Sequence, residues 1–302
     1  MTILSPTTLR PLGQSGLMVT GLGWGMWRFA GQDVASARRL IDSVFEAGIN
    51  FFDTADIYGF NGSGGFGDAE ALLGEVFAQA PELRAKMVLA SKGGIIPPRP
   101  YDSSYDYLVG ACEASLKRMR IESLDLWQIH RPDLLTHPEE IARAVNHLIE
   151  SGKIRTFGVS NYTIAQTRAL AAHLDHPIVS FQPEFSPIAL DAMIDGTLDL
   201  AMEIGASVLA WSPLGGGRLA KNGEDSRTKA VIAALDAVAA RHGVSRTSIA
   251  YAWVGRHPSQ PIALVGTQNP ARILETREVA KVSLSADEWY QILVASRGAP
   301  MP

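Results

Sequence analysis

The chain has 302 residues, 46% of them hydrophobic and 19% charged, a balance that excludes a disordered polymer. Its 27 basic and 31 acidic residues leave a net charge of -4, without the basic excess that binding to a nucleic-acid backbone requires. A single cysteine, Cys112, excludes an intramolecular disulfide framework and a cysteine zinc cluster, and it fits a reducing compartment.

Short apolar runs alternate with helical patterns along the chain. Run 21–24 precedes a helical pattern at 36–47, where Leu40, Val44 and Ala47 are helically spaced and Gly48 is the stop signal. Run 50–53 precedes 69–77, run 87–91 precedes 107–119, and run 124–129 precedes 139–150, with Pro138 suited to a first turn. Runs 156–159, 179–182 and 207–211 precede helical patterns at 164–173, 198–204 and 228–242. An additional helix is expected at 245–257, N-capped by Ser245, before run 261–265 and a last pattern at 270–280. The runs mostly lack period-two alternation, as strands covered on both faces do. No run approaches the roughly 18 apolar residues of a spanning helix. Residues 1–13 make a poor signal peptide, so a cytoplasmic location is expected, with no membrane partner.

Eight strand–helix units suit either a closed (β/α)8 barrel or an open doubly wound sheet. The open sheet with a dinucleotide wants G-x-G-x-x-G after its first strand. Gly21, Gly23 and Gly25 give G-x-G-x-G instead, and the length is near that of a barrel of about 250 residues. The expected fold is therefore an α/β (TIM) barrel, one domain over residues 1–302. Three long loops, 61–67, 93–106 and 215–226, then fall at the C-terminal mouth of the barrel.

Polar residues end three consecutive strand runs: Asp53, Lys92 and His130. Tyr58, five residues past Asp53, is close enough in sequence to return to the same mouth. Singly, each has a plain structural explanation; together they form a candidate site. A tyrosine with a pKa of about 10 exchanges protons poorly at neutral pH. A neighbouring ammonium lowers that pKa, an aspartate keeps the ammonium charged and in place, and a neutral histidine can orient a carbonyl oxygen. Such a set suits reversible carbonyl reduction, with Tyr58 supplying the proton and a cofactor the hydride.

The strings DTADIYG, SKGG, IHRPD, GVSNY, FQPEFSP and WSPLGGGRL, in this order, resemble those of the aldo-keto reductases, and the resemblance spans about residues 13–280. It implies a (β/α)8 barrel, NAD(P)-dependent carbonyl reduction, and a catalytic tetrad on Asp53, Tyr58, Lys92 and His130. It also implies that Ser160, Asn161 and Gln182 hold the nicotinamide carboxamide and that Trp211 stacks on its ring. Gly25, Met26 and Trp27 would lie beside the nicotinamide ribose, and Ser212, Leu214, Gly216 and Arg218 along the pyrophosphate. At the adenosine end, Gly266, Thr267, Gln268, Arg272 and Glu275 fall in the matching segment. Thr267 and Arg272 match the 2′-phosphate positions and Glu275 an adenine contact. Many NADPH-preferring relatives carry lysine where this chain has Gly266, which weakens the choice. NADPH is expected, with NADH left open.

No H-E-x-x-H occurs, so no metal site is expected; no G-x-S-x-G occurs, which leaves a hydrolase nucleophile elbow unsupported, and there is no P-loop motif. Cys112 sits among Ala and Leu and reads as core packing. Two rival functions stay open: a cofactor-binding redox sensor or regulatory subunit with little turnover, and a barrel aldolase or lyase in which Lys92 forms a Schiff base. The expected partner is a small carbonyl compound. Trp27, Phe60, Phe66 and Ile95 suggest an apolar pocket, and the short tail after Ser296 suggests an open one. A monomer is expected, with a dimer left open.

Overall fold

Each apolar run becomes a parallel strand, because a run apolar on both faces must be covered on both. The structure, a computed structural model, describes residues 8–302; the first seven, part of the stretch weighed above as a leader, lie outside the described residues. The strands are β1 (Leu22–Gly25), β2 (Phe51–Asp53), β3 (Val88–Gly93), β4 (Leu124–Ile129), β5 (Ile154–Ser160), β6 (Ile178–Gln182), β7 (Ser207–Ala210) and β8 (Ile262–Val265). They pair in sequence order, and β8 closes on β1, giving the expected barrel.

Helices wrap the outside: α1 (Val34–Glu46), α2 (Asp68–Gln79), α3 (Tyr105–Met119), α4 (Pro138–Glu150), α5 (Ile164–Ala171), α6 (Asp191–Ile194), α7 (Thr197–Glu203), α8 (Ser226–His242), α9 (Arg246–Arg256), α10 (Pro270–Glu275) and α11 (Ala286–Arg297). Ser245 caps α9 as expected, its side chain accepting from Ser248 N–H. The pattern read as one helix at 270–280 divides into α10 and a 3-10 turn, Thr276–Lys281. Helix α11 was not expected, although Ser285 and Glu288 form a reciprocal capping box at its start. It docks through Trp289, whose indole stacks on that of Trp253 with centroids 4.9 Å apart. Each indole N–H of that pair donates to the other residue's carbonyl oxygen, at 3.1 and 3.0 Å.

Two antiparallel hairpins also went unread. Leu9–Pro11 pairs with Met18–Thr20 at the barrel's N-terminal end, and Leu12, Leu17 and Val19 plug the interior there. Ile95–Ile96 pairs with Arg99–Tyr101 inside the loop after β3.

Inside the barrel the side chains come in layers, since alternate residues of each strand point inward. Phe51, Val88, Ala90, Leu126, Leu209, Ile262 and Leu264 form an apolar interior cluster. The outward residues Phe52, Leu89, Trp127 and Val265 belong to the larger core beneath the helices. Two residues beyond Phe51, Ala90 and Leu126, the inward positions are Asp53, Lys92 and Gln128. The apolar plug thus ends in a buried polar layer at the C-terminal mouth. Gly158 on β5 makes room there, because a Cβ would strike the Ser180 hydroxyl on β6.

Candidate active site

The polar layer is held by strand register. Gly25 lies beside Asp53, Asp53 beside Ala90, and Lys92 beside Gln128. Asp53 and Lys92 therefore meet across β2 and β3, and His130 follows β4 with its N–H donating to Gly93 O at 2.8 Å. Tyr58 returns from the β2 loop, where its own N–H donates to Ala55 O and its carbonyl accepts from Ala69 N–H.

Lys92 has no exposed surface. Its ammonium donates to Asp53 Oδ2 at 2.6 Å, to Thr54 O at 2.9 Å and to Tyr58 Oη at 3.1 Å, which uses all three protons. The second Asp53 oxygen accepts from Gln182 Nε2 at 3.0 Å and from Gln128 Nε2 at 3.3 Å. An ion pair sealed this way stands up to desolvation only because its remaining valences are filled. Burial pulls the Lys92 ammonium down, and Asp53 with Tyr58 more than offsets it, so its pKa ends above the ordinary value.

Tyr58 corrects one expectation. The lysine does pull the phenol pKa down, but burial pushes it up by more, and Tyr58 ends above a normal tyrosine. Its hydroxyl is thus held protonated, the form that donates. The His130 ring lies edge-on to Tyr58 with centroids 5.8 Å apart. Burial, with Lys92 and Arg131 nearby, holds His130 well below the usual histidine pKa, so it is neutral. Its buried Nδ1 has no partner among the described residues. Trp27 stands on the other side of Tyr58, ring centroids 5.2 Å apart, with 60% of its surface exposed.

The residues assigned by resemblance to a cofactor surround this group. Ser160 Oγ donates to Gln182 O at 2.9 Å, and Asn161, at φ +59°, donates through Nδ2 to Ser160 Oγ and His130 O. Trp211 Nε1 donates to Asn161 Oδ1 at 3.0 Å, which fixes the plane of a half-buried indole. Trp211 lies just past the end of β7, because Ser212 turns the chain at φ +50°. The run Gly215, Gly216 and Gly217 is left-handed throughout, and a Cβ on Gly215 would strike Ile188. Leu214 is half-buried there, and exposed Arg218 donates to Gly215 O at 3.0 Å.

Beyond β8, Gly266 borders open space, and Thr267 accepts Trp24 Nε1–H at its carbonyl. Gln268 leaves a buried Oε1 without a partner among the described residues. Arg272 is exposed and has no ion pair among the described residues. Glu275 accepts from Thr247 Oγ1 at 3.0 Å. Met26 departs from the rest: its side chain is fully buried in the outer core and offers no surface to a ligand.

Residues 21–295 match the Aldo/keto reductase family. The chain belongs to the aldo-keto reductase family. It is 52% identical over 299 residues, 98% of both chains, to a 6-dehydroglucose reductase of Novosphingobium aromaticivorans. It is 33% identical to a 6-dehydroglucose reductase of Agrobacterium fabrum, covering 93% of this chain and 96% of that one. In fold it is similar to a thermostable aldo-keto reductase solved with the inhibitor epalrestat, with a TM-score of 0.82 over 95% of this chain and 99% of the other at 23% identity. This aldo-keto reductase is thus an oxidoreductase by family.

Several site residues escaped the sequence reading. Gln128 braces Asp53 from mid-strand, where a lone glutamine between Trp127 and Ile129 carries no alternating pattern to mark it. Glu70, fully buried on α2, accepts from Ser91 Oγ and Arg118 Nε and so braces β3 from behind. Asp56 is buried with neither oxygen bonded among the described residues, and burial raises its pKa well above the carboxylate range. Among the described residues no group of His, Cys, Asp and Glu is arranged to hold a metal ion, and no helix is long and apolar enough to cross a membrane.

Proposed function

We propose that the protein reduces the carbonyl of a small molecule to an alcohol with NADPH, and that a sugar aldehyde is its substrate class. The observation that carries the reading is a sealed ammonium, Lys92, bonded at once to the Asp53 carboxylate and to a phenol held protonated by burial. The substrate class rests on the two relatives described as 6-dehydroglucose reductases.

The residues present fit a nicotinamide dinucleotide. An indole pinned by Asn161, a left-handed glycine run, open space at Gly266, and a Gln268 oxygen and an Arg272 fork both unpartnered among the described residues together make an extended polar cradle. Ser160, Asn161, Gln182 and Trp211 would hold the nicotinamide end, and Ser212, Leu214, Gly216 and Arg218 the pyrophosphate. Thr267, Gln268, Arg272 and Glu275 would hold the adenosine end, where the Arg272 fork suits a phosphate. Hydride for the carbonyl carbon is the chemistry such a cofactor supplies when bound.

The rest is the work of this chain. His130 is neutral, so it keeps one N–H to direct at a carbonyl oxygen without competing to donate the proton. Tyr58 Oη holds the proton for that oxygen. Once it is given up, the Lys92 ammonium at 3.1 Å stabilises the phenolate. Asp53 keeps the ammonium in place and charged. Trp27, beside Tyr58, shields the reacting group from water on its open side.

The test is consumption of NADPH by the purified protein with aldehydes, sugar aldehydes among them. The reading expects turnover, fastest with the sugar aldehydes. NADPH that stays unconsumed with every carbonyl offered overturns it.

A further inference from the structure

Arg131 is a half-buried arginine with no hydrogen bond and no ion pair among the described residues. A guanidinium carries five N–H donors and no acceptor, so one without a protein acceptor at a site mouth has donors to spare for a ligand. It directly follows His130, and its guanidinium carbon lies 5.8 Å from the centroid of the Trp211 ring. His130 thus sits beside Tyr58, and Arg131 beside Trp211, at the same mouth.

The backbone around Arg131 is held from both sides. His130 N–H donates to Gly93 O, and His130 O accepts from Asn161 Nδ2. Pro132 then restricts Arg131 to extended conformations. Asp133, the nearest acid in sequence, is committed elsewhere: it accepts from Ser103 N–H, Thr136 Oγ1 and Leu135 N–H. The fork is thus placed by the fold and, among the described residues, left free of an acceptor.

Across Trp211 lies Glu184, bridged to it in parallel register and half-buried. Burial raises the Glu184 carboxyl pKa, while Arg218 and Arg131 pull it back, which places both arginines within electrostatic reach of it. A rim with a donor-only fork and a carboxylate acceptor suits a ligand rich in hydroxyl groups, which can accept from one and donate to the other. An anionic ligand would gain from Arg131 but meet the Glu184 charge.

We propose that Arg131 is the specificity residue of this site, reading the hydroxyl oxygens of an uncharged, polyhydroxylated aldehyde, with Glu184 as the matching acceptor. This rests on the reductase reading above and adds the residue that selects the substrate.

The test compares the intact protein with Arg131→Leu on three aldehydes: a hexose oxidised to the aldehyde at its primary alcohol, an unbranched alkyl aldehyde, and a carboxylated semialdehyde. Binding of glucose, as a polyol probe, and of NADPH is titrated alongside without turnover. The variant is expected to lose roughly 10- to 100-fold in kcat/KM on the hexose aldehyde, mostly through KM, as for a lost charge-assisted hydrogen bond. Reduction of the alkyl aldehyde and the Kd of NADPH should stay unchanged, and glucose binding should weaken in parallel with the hexose aldehyde. Arg131→Lys, which keeps the charge without the fork, should recover part of the loss. An equal loss on all three aldehydes, a raised NADPH Kd, no loss on any, or a wild-type preference for the carboxylated substrate overturns the proposal while the reductase reading stands. Glucose binding that depends on Arg131 in a protein that reduces nothing would instead overturn the reductase reading and keep this rim as a polyol site. Neither binding of glucose nor turnover of any aldehyde overturns both.

Discussion

The two ends of the mouth are built differently. At the β2–β4 end, Asp53, Lys92, Gln128 and Tyr58 are buried, and their polar atoms bond to one another. At the β7–β8 end, Gly216, Arg218, Asn269 and Arg272 are exposed, Gly266 faces open space, and a buried Gln268 oxygen has no partner among the described residues. The first end is complete in itself, as a group that must hold a proton at a fixed place has to be. The second is incomplete, as a surface that waits for a long polar ligand has to be.

That contrast can be broken by substitution. Tyr58→Phe removes the hydroxyl that carries the proton and leaves one Lys92 N–H without its acceptor, so turnover should fall by about 100- to 10,000-fold while NADPH affinity holds; parallel kinetics and titration check this. Lys92→Met leaves the Asp53 carboxylate buried and unpaired, and urea unfolding should show a loss of about 3–5 kcal/mol. Adding Asp53→Asn should return much of that stability but none of the activity. At the open end, Arg272→Leu should leave stability unchanged and raise the NADPH Kd roughly 10- to 100-fold, with NADH unaffected.

The smallest effect expected is with pH. The Tyr58 pKa is raised, so its donating form persists as pH rises through the ordinary tyrosine range. The His130 pKa is lowered, so the ring stays neutral as pH falls through the ordinary histidine range. The kcat/KM for reduction should therefore be level across neutral pH and decline only on the alkaline side. A limb with a midpoint near the free histidine pKa of about 6.5 would show that His130 is not sealed as described.

Much of the barrel was legible because its strands are short apolar runs whose burial is dictated by composition. The tetrad positions were legible because each ends such a run or closely follows one. What stayed hidden depends on partners remote in sequence. Gln128 becomes a brace only when β4 lies beside β3, and Glu70 only when α3 brings Arg118 to it. Local chemistry could have revealed α11, since Ser285 and Glu288 form a capping box and Trp289, Ile292 and Leu293 follow it at helical spacing. The direction of the Tyr58 shift was misread for a related reason. Sequence names the lysine neighbour, but only the packed structure shows how completely the phenol is withdrawn from water.

The most direct measurement is a titration of the purified protein with NADPH and with NADH, followed by quenching of tryptophan fluorescence, since Trp211 and Trp27 both border the mouth. The account predicts quenching by both, tighter for NADPH, with the difference lost in Arg272→Leu. Absence of quenching by either nucleotide would contradict it and leave the open end of the mouth without its ligand.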